Sequence, residues 1–261
     1  LSVAPQTTAI ILAAGRGRRL GREHEAPKVL LEFAGMSLLG RHLAALQRHG
    51  IDRISITVGY QEAAIIAELR RLGQLERVHL VRNPDFTRGS LLSLAVQNAD
   101  LRSGRRILLM DGDVLYDDRM ITALLEAPGE NILLLDREIE PGDEPVKICF
   151  RGGAIVDFRK LPERPHDWYG ESVGFFRLSA EMAGSLAACC GKHVGLGHVD
   201  LEYEEALRDL ILAEPGRFAA QDVTGLPWIE IDFPADVARA RDDVLRKLLP
   251  QAHIGGAAAA S

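Results

Sequence analysis

The chain has 261 residues, 47% hydrophobic and 26% charged, with a net charge of -6. That length suits one large α/β domain with a small lobe, and that composition suits a folded globular core. The negative balance excludes a general nucleic-acid binder, so any anion site must be built from local basic residues.

In chain order, short apolar runs alternate with amphipathic stretches. "TAIILA" (8–13), "ISITV" (54–58), "VHLVR" (78–82), "RILLMD" (106–111) and "NILLLD" (131–136) read as buried strands bounded by Gly, Asp or Asn. Helical patterns fall at 36–49, 61–72, 89–99 and 117–126. This alternation predicts a parallel, doubly wound sheet. After residue 140 the rhythm changes: "VKICF", "AIVDF" and "SVGFFRL" are closely spaced strands, expected to form an antiparallel lobe (140–178) on the sheet edge. Helices return at 179–190, 202–213 and 234–249. Residues 1–250 are therefore expected to form a single domain. The last residues, 251–261, include "GGAAAAS" and read as a flexible tail or linker.

The three cysteines, Cys149, Cys189 and Cys190, show no zinc spacing and are expected to be free thiols in a reducing cytoplasm. No apolar run reaches the roughly 20 residues of a membrane span, and no signal peptide is evident. His193 and His198 flank "GKHVGLGH", but no third ligand lies nearby in the sequence, so they are not read as a metal site.

The first strand runs into Gly15 and Gly17, with Arg16, Arg18 and Arg19 between and after them and Pro27-Lys28 further on. Ligands of open α/β sheets sit beyond the carboxyl ends of the strands. Glycines there let backbone N–H groups approach a ligand, and the cations add full charge. The device is a cradle for a polyphosphate. A dinucleotide fingerprint would need a third glycine where Leu20 stands, and a Walker loop is absent. The pattern present is G-x-G-x-R-L followed by P-K.

"LAAGRGRRL…PKVLLEFAG" resembles the signature of sugar-nucleotidyltransferase-like enzymes. Three later segments agree in order: "LLMDGDVLYD" (108–117), "GESVGFFRLS" (170–179) and "WIEIDFPADVARA" (228–240), the last with Phe233 where Thr is usual. The resemblance covers residues 8–247. It is nearest to small cytidylyltransferases acting on phosphocholine, 2-aminoethylphosphonate and related phospho-alcohols or phosphonates. "NPDFTRGSLLSL" (83–94) resembles their segment before a Ser-Leu helix, with Arg88-Gly89-Ser90 in place of the usual Thr-Asn.

The resemblance implies a Rossmann-like α/β fold with a mixed sheet, and Mg2+-dependent transfer of CMP from CTP to a small phosphate- or phosphonate-bearing acceptor. It implies Arg19, Lys28 and Lys147 as catalytic cations, with Lys160 a second candidate for contact with the acceptor phosphate. Leu12, Ala13, Ala14, Gly15, Arg16, Gly17, Arg18, Asn83, Ser90 and Gly112 would bind the nucleotide. Asp113 and Asp232 would hold the metal through hard oxygen ligands. Asp111 and Glu230 are expected to be structural or to stand behind the metal ligands, and Asp236 to cap its helix. "DWYGES" and "DLEYEE" gather Trp168, Tyr169, Glu171, Glu202, Tyr203 and Glu204, aromatic faces and carboxylates that suit an ammonium head. Inositol 1-phosphate, hydroxyethylphosphonate or a sugar 1-phosphate are the alternative acceptors, and a nucleotide-binding regulator without turnover is the rival from another class. A homodimer, or fusion to a further domain, stays open.

Overall fold

The computed structural model describes residues 6–21, 26–139 and 144–248. The expected tail at 251–261 and the first residues of the expected lobe, 140–143, lie outside them.

Strand β1 (Thr7–Leu12) ends at the glycine bend. Two short 3-10 turns follow, Arg18–Leu20 and Lys28–Leu30, and then a two-residue hairpin, β2 (Glu32–Phe33) and β3 (Met36–Ser37). Ser37 caps helix α1 (Leu38–Arg48) by accepting from the Gly40 amide at 3.0 Å. Next come β4 (Arg53–Val58), α2 (Glu62–Arg71), β5 (Val78–Arg82), α3 (Ser90–Ala95) and α4 (Asn98–Leu101). The central part continues with β6 (Arg106–Asp111), β7 (Val114–Tyr116), α5 (Arg119–Glu126) and β8 (Asn131–Asp136). β9 (Lys147–Arg151), β10 (Ala154–Arg159) and the long β11 (Trp168–Leu178) complete the strand-rich stretch. The chain closes with α6 (Ala180–Gly195), α7 (Tyr203–Ala213), β12 (Phe218–Asp222), β13 (Trp228–Glu230), α8 (Pro234–Arg239) and α9 (Leu245–Leu248).

All five apolar runs are strands. Four of them, β6, β1, β4 and β5, lie side by side in parallel. β1 shows why. Ala9 and Ile11 point to one core and Ile10 to the other, all fully buried. A parallel strand covered on both faces has no reason to alternate with polar residues. One core is closed by α1, α2 and α5 and the other by α3, α6 and α7. Each buried Leu or Ile contributes about 2 kcal/mol.

Of the antiparallel strands, β9 and β10 lie at the edge of the sheet, in the order β10-β9-β11, but β11 does not. β11 is built into the sheet, antiparallel to both β6 and β8. Its first residues, Trp168–Glu171, pair with β9, and its last, Phe175–Leu178, pair with β6. Between them the register against β8 shifts at a bulge from Ser172 to Phe176, and Gly174 there has φ +77°. A β-carbon at Gly174 would lie 2.2 Å from Asp111 Oδ2, so only glycine fits beside that carboxylate.

The pattern at 89–99 is two short helices, α3 and α4, and the pattern at 234–249 is interrupted by a π-turn at Ala240–Val244. Among the described residues no helix is long and apolar enough to cross a membrane.

Candidate active site

A cleft of about 530 Å³ opens at the carboxyl ends of β1 and β6. One wall is the glycine bend. Gly17 has φ +61°, and a β-carbon there would come within 2.9 Å of Lys28 Cγ. Glycine is therefore required both for the left-handed turn and for the close passage of the Lys28 stem. Pro27 leads into the 3-10 turn that carries Lys28, and Val29 anchors that turn in the core, leaving the amine to face the cleft. Leu20 similarly anchors Arg19, in a third apolar cluster that also holds Leu115, Ile229 and Ile231.

That third cluster brings the two far-apart aspartates together. β13 runs antiparallel to β7, with Glu230 opposite Val114, and the Ile231 amide donates to the Asp113 carbonyl at 3.0 Å. Asp113 and Asp232 therefore face one point. The Lys28 amine donates to Asp113 Oδ2 at 2.8 Å and to Asp232 Oδ1 at 2.6 Å. Burial works against its charge, but the two carboxylates outweigh burial and raise its pKa above the ordinary lysine value. Asp232 shows the converse: burial raises its pKa, Lys28 and then Arg19 more than reverse that, and the carboxylate stays ionised. Arg19 reaches Asp232 Oδ2 at 3.3 Å and Glu144 Oε2 at 2.9 Å. Asp236 caps α8 as expected, accepting from the amides of Asp232 and Phe233 at 2.9 and 2.6 Å.

Carboxylate oxygens of Asp113, Glu230 and Asp232 lie within 4.8 Å of one another. Three hard oxygen donors at that spacing fit a small divalent cation such as Mg2+. Glu230 thus joins the pair that the sequence pointed to.

The opposite wall is acidic. Asp111, Glu202, Tyr203, Glu204 and Glu230 all line the cleft. The Tyr203 hydroxyl donates to Asp111 Oδ2 at 2.7 Å, and Ser90 donates to Glu202 Oε2 at 2.5 Å. Burial, then the neighbouring carboxylates Glu204, Asp113 and Glu230, push the Asp111 carboxyl well above its usual range. Burial, with Glu202 added, brings Glu204 to about 7. Glu230, exposed at the cleft, is raised as well, by reduced hydration and then by Asp113 and Asp232. These groups face one another with an excess of negative charge, which a cation relieves.

Leu12, Ala14, Gly15, Arg16, Gly17, Arg18, Arg19, Lys28, Ser90, Asp113, Glu202, Tyr203 and Asp232 line the cleft where the sequence reading put them. Three others sit just behind the wall. The Ala13 amide donates to the Thr57 carbonyl at 3.0 Å. Asn83 is buried and donates to Ser93 Oγ at 3.0 Å, and Ser93 itself lines the cleft. Gly112 packs against the end of β1, its amide on the Leu12 carbonyl at 3.0 Å. Buried His42 donates from Nε2 to the Gly112 carbonyl at 3.2 Å, and burial keeps its pKa down at about 4, against the pull of that bond.

Four expected residues lie elsewhere. Lys147 is buried, its amine donating to the carbonyls of Lys160 at 2.8 Å and Pro145 at 3.3 Å, whereas Lys160 lines the cleft and reaches Glu144 Oε2 at 3.1 Å. Of the two lysines, only Lys160 lines the cleft. Trp168 stacks on Phe150 at 4.1 Å, with the Arg137 guanidinium 4.5 Å from its ring, and Tyr169 packs edge-on to His166. Both rings belong to the start of β11, roughly 20 Å along the strand from Gly174 at the cleft. No aromatic cage forms from them. Glu171 lines a second cavity of about 470 Å³, with Asp136, Trp228 and Phe233, which shares Glu144, Glu230 and Asp232 with the first. Glu144 lines the cleft without any signal in the sequence, and Phe86 and Thr87 line it from the 83–94 segment, which the sequence marked as a whole without singling them out.

A glycine bend carrying cations lies opposite a carboxylate cluster at the strand ends, an arrangement suited to phosphate groups and a cation. The profile of the MobA-like NTP transferase domain matches residues 9–194, and the chain belongs to that family. It is a nucleotidyltransferase. A bifunctional IPC transferase and DIPP synthase of Rubrobacter xylanophilus is 29% identical over 241 residues, 91% of this chain and 52% of that protein. A CMP-5'-(3-aminopropyl)phosphonate synthase of Streptomyces rubellomurinus is 26% identical over 247 residues, 89% of this chain and 38% of that protein. The chain thus spans about half or less of the length of these curated relatives. The inositol-1-phosphate CTP transferase from T. maritima has the same fold, with TM-score 0.73 at 21% identity, covering 95% of this chain and 96% of that one. So does the CTP:phosphocholine cytidylyltransferase LicC from Streptococcus pneumoniae, with TM-score 0.72 at 21% identity, covering 90% and 97%.

Proposed function

We propose that this enzyme transfers CMP from CTP to a small acceptor that carries a phosphate or phosphonate at one end and a cationic amine at the other, releasing pyrophosphate. The observation that carries the reading is the convergence of Lys28, Asp113 and Asp232 beside the glycine bend. The acidic wall of Asp111, Glu204 and Glu230 supports the amine, and the named activities of the relatives support CTP.

In the reaction an acceptor oxygen attacks the α-phosphorus of CTP. A new P–O bond forms, the bond to the bridging oxygen breaks, and pyrophosphate leaves with the electron pair. Both reactants are anions, so the site must cancel repulsion and hold them in line. The backbone of Gly15 and Gly17 and the side chains of Arg16, Arg18 and Arg19 receive the β and γ phosphates. Lys28 neutralises charge growing at the α-phosphate. Lys160, across the cleft, orients the acceptor phosphate. Asp113, Asp232 and Glu230 would hold Mg2+, which supplies further positive charge to the phosphates when bound. Ser90, with its hydroxyl fixed by Glu202, and the backbone at Leu12 and Ala14 border the base.

Inositol 1-phosphate is the second reading, favoured by the likeness to IPC transferases. The same carboxylates would then accept from hydroxyls. Pyrophosphate release is measured with CTP, Mg2+ and each of phosphocholine, 2-aminoethylphosphonate, inositol 1-phosphate and hydroxyethylphosphonate. The amine reading expects the first two to lead. Preference for inositol 1-phosphate moves the assignment to the second reading, and no release with any of the four removes both.

A further inference from the structure

A second cluster of metal-ligating side chains lies away from the cleft, across α6 and α7. Cys189 and His193 are four residues apart on α6 and therefore share a face. Asp209 projects from α7 towards them. His193 Nε2 lies 2.9 Å from Asp209 Oδ2, and Cys189 Sγ lies 3.9 Å from the same oxygen. One ligand atom from each residue falls within 4.8 Å of the other two. The sequence alone could not assemble this set, because Asp209 comes from the next helix.

From this geometry we propose that Cys189 Sγ, His193 Nε2 and Asp209 Oδ2 bind a thiophilic divalent cation, Zn2+ in class, that ties α6 to α7. Zinc bonds to sulfur, imidazole nitrogen and carboxylate oxygen of about 2.3, 2.0 and 2.1 Å place tetrahedral ligands roughly 3.3–3.7 Å apart. The observed 2.9 and 3.9 Å bracket that range, so these two pairs need only sub-ångström adjustment, and Cys189 Sγ lies within 4.8 Å of His193. Thiolate and imidazole disfavour Mg2+, which separates this site chemically from the oxygen-only cluster of Asp113, Glu230 and Asp232.

His198 stands where an outer partner is needed. Gly197, at φ +79°, turns the chain back after α6, and the His198 amide donates to the His193 carbonyl at 3.0 Å. The ring is thereby held with Nδ1 3.2 Å from His193 Nδ1. When His193 ligates through Nε2, its proton sits on Nδ1 and is donated to His198 Nδ1, which fixes the ligating tautomer. Water takes the fourth position.

Cobalt(II) is the probe, since a cobalt–thiolate bond gives a charge-transfer band that carboxylate sites cannot produce. Cys149 and Cys190 are buried in the core, which leaves Cys189 as the thiol beside the histidines. Titration of the whole chain with Co2+ is expected to show the band saturating at one ion per chain, displaced by Zn2+. Cys189→Ser abolishes it, Asp209→Asn weakens binding, His198→Ala weakens it about tenfold or more while keeping the band, and Asp232→Asn leaves it unchanged. Circular dichroism confirms that each variant is folded. Absence of the band in the wild-type chain, or its persistence in Cys189→Ser, overturns the proposal. Equal affinity in His198→Ala removes the role given to that ring.

Discussion

Lys147 starts β9 and Lys160 follows the end of β10 beside it, and the two have opposite surroundings. Lys160 reaches into the cleft, whereas the amine of Lys147 is spent on backbone carbonyls. Lys160→Ala is expected to raise the acceptor KM about tenfold, the loss of one charge-assisted contact, with the thermal midpoint nearly unchanged. Lys147→Ala should instead cost about 2 kcal/mol in denaturant unfolding and leave the acceptor KM alone. A second expectation concerns Glu204. Its carboxyl is held at about 7, so it is largely protonated below that pH and ionised above it. An ammonium binds the ionised form and releases the proton, so its KM should fall as pH rises through about 7. Glu204→Gln should flatten that profile, and inositol 1-phosphate should not show it. The sequence marked the acids and aromatics of this wall by type alone. Which of them face the cleft depends on where the fold places their elements: Tyr203 starts α7 and is bonded to Asp111, whereas Tyr169, near the start of β11, packs on a histidine at the surface.

Helix α3 shows how an element bears on the site. Its start lies against the segment before α7: the amides of Gly89 and Leu91 donate to the carbonyls of Val199 and Leu201 at 3.1 and 3.0 Å. A β-carbon on Gly89 would sit 2.0 Å from the Leu201 carbonyl oxygen, a clash of backbone with backbone. Glycine in place of the usual residue is thus a packing requirement of this chain, and it is what allows Ser90 to meet Glu202. Gly89→Ala is expected to destabilise by about 1–3 kcal/mol in chemical unfolding, and to raise the CTP KM through displacement of Ser90. The apolar strands and most helices were legible because burial on both faces writes a continuous hydrophobic run. The central place of β11 was not, since strand order is set by long-range pairing that leaves no local pattern. Nor were the breaks in the helical patterns at 96–97 and 240–244, where helix propensity continues but the hydrogen bonding changes.

At the scale of the molecule, the cleft joins two poles. The cationic bend after β1 meets the carboxylates at the ends of β6 and β13 and in the turn between β6 and β7, and the third apolar cluster under Leu20, Leu115 and Ile231 holds that side of the cleft. The glycine–arginine loop and "EIDFPAD" could be matched to phosphates and metal in the sequence because those chemistries need particular residues at particular turns. The enclosing walls were legible only in part: Phe86 and Lys160 lay in or beside marked segments, but Glu144 did not, and the fold alone brings the three together. The most direct measurement is transfer of label from CTP labelled at the α-phosphorus. With Mg2+ and 2-aminoethylphosphonate or inositol 1-phosphate, the label should appear in a CMP–acceptor product. ATP, GTP and UTP should serve poorly, and Asp232→Asn should lose at least about a hundredfold in rate while still binding CTP. Label that never leaves CTP in the presence of acceptor and Mg2+, or an Asp232→Asn chain as fast as wild type, would contradict the account.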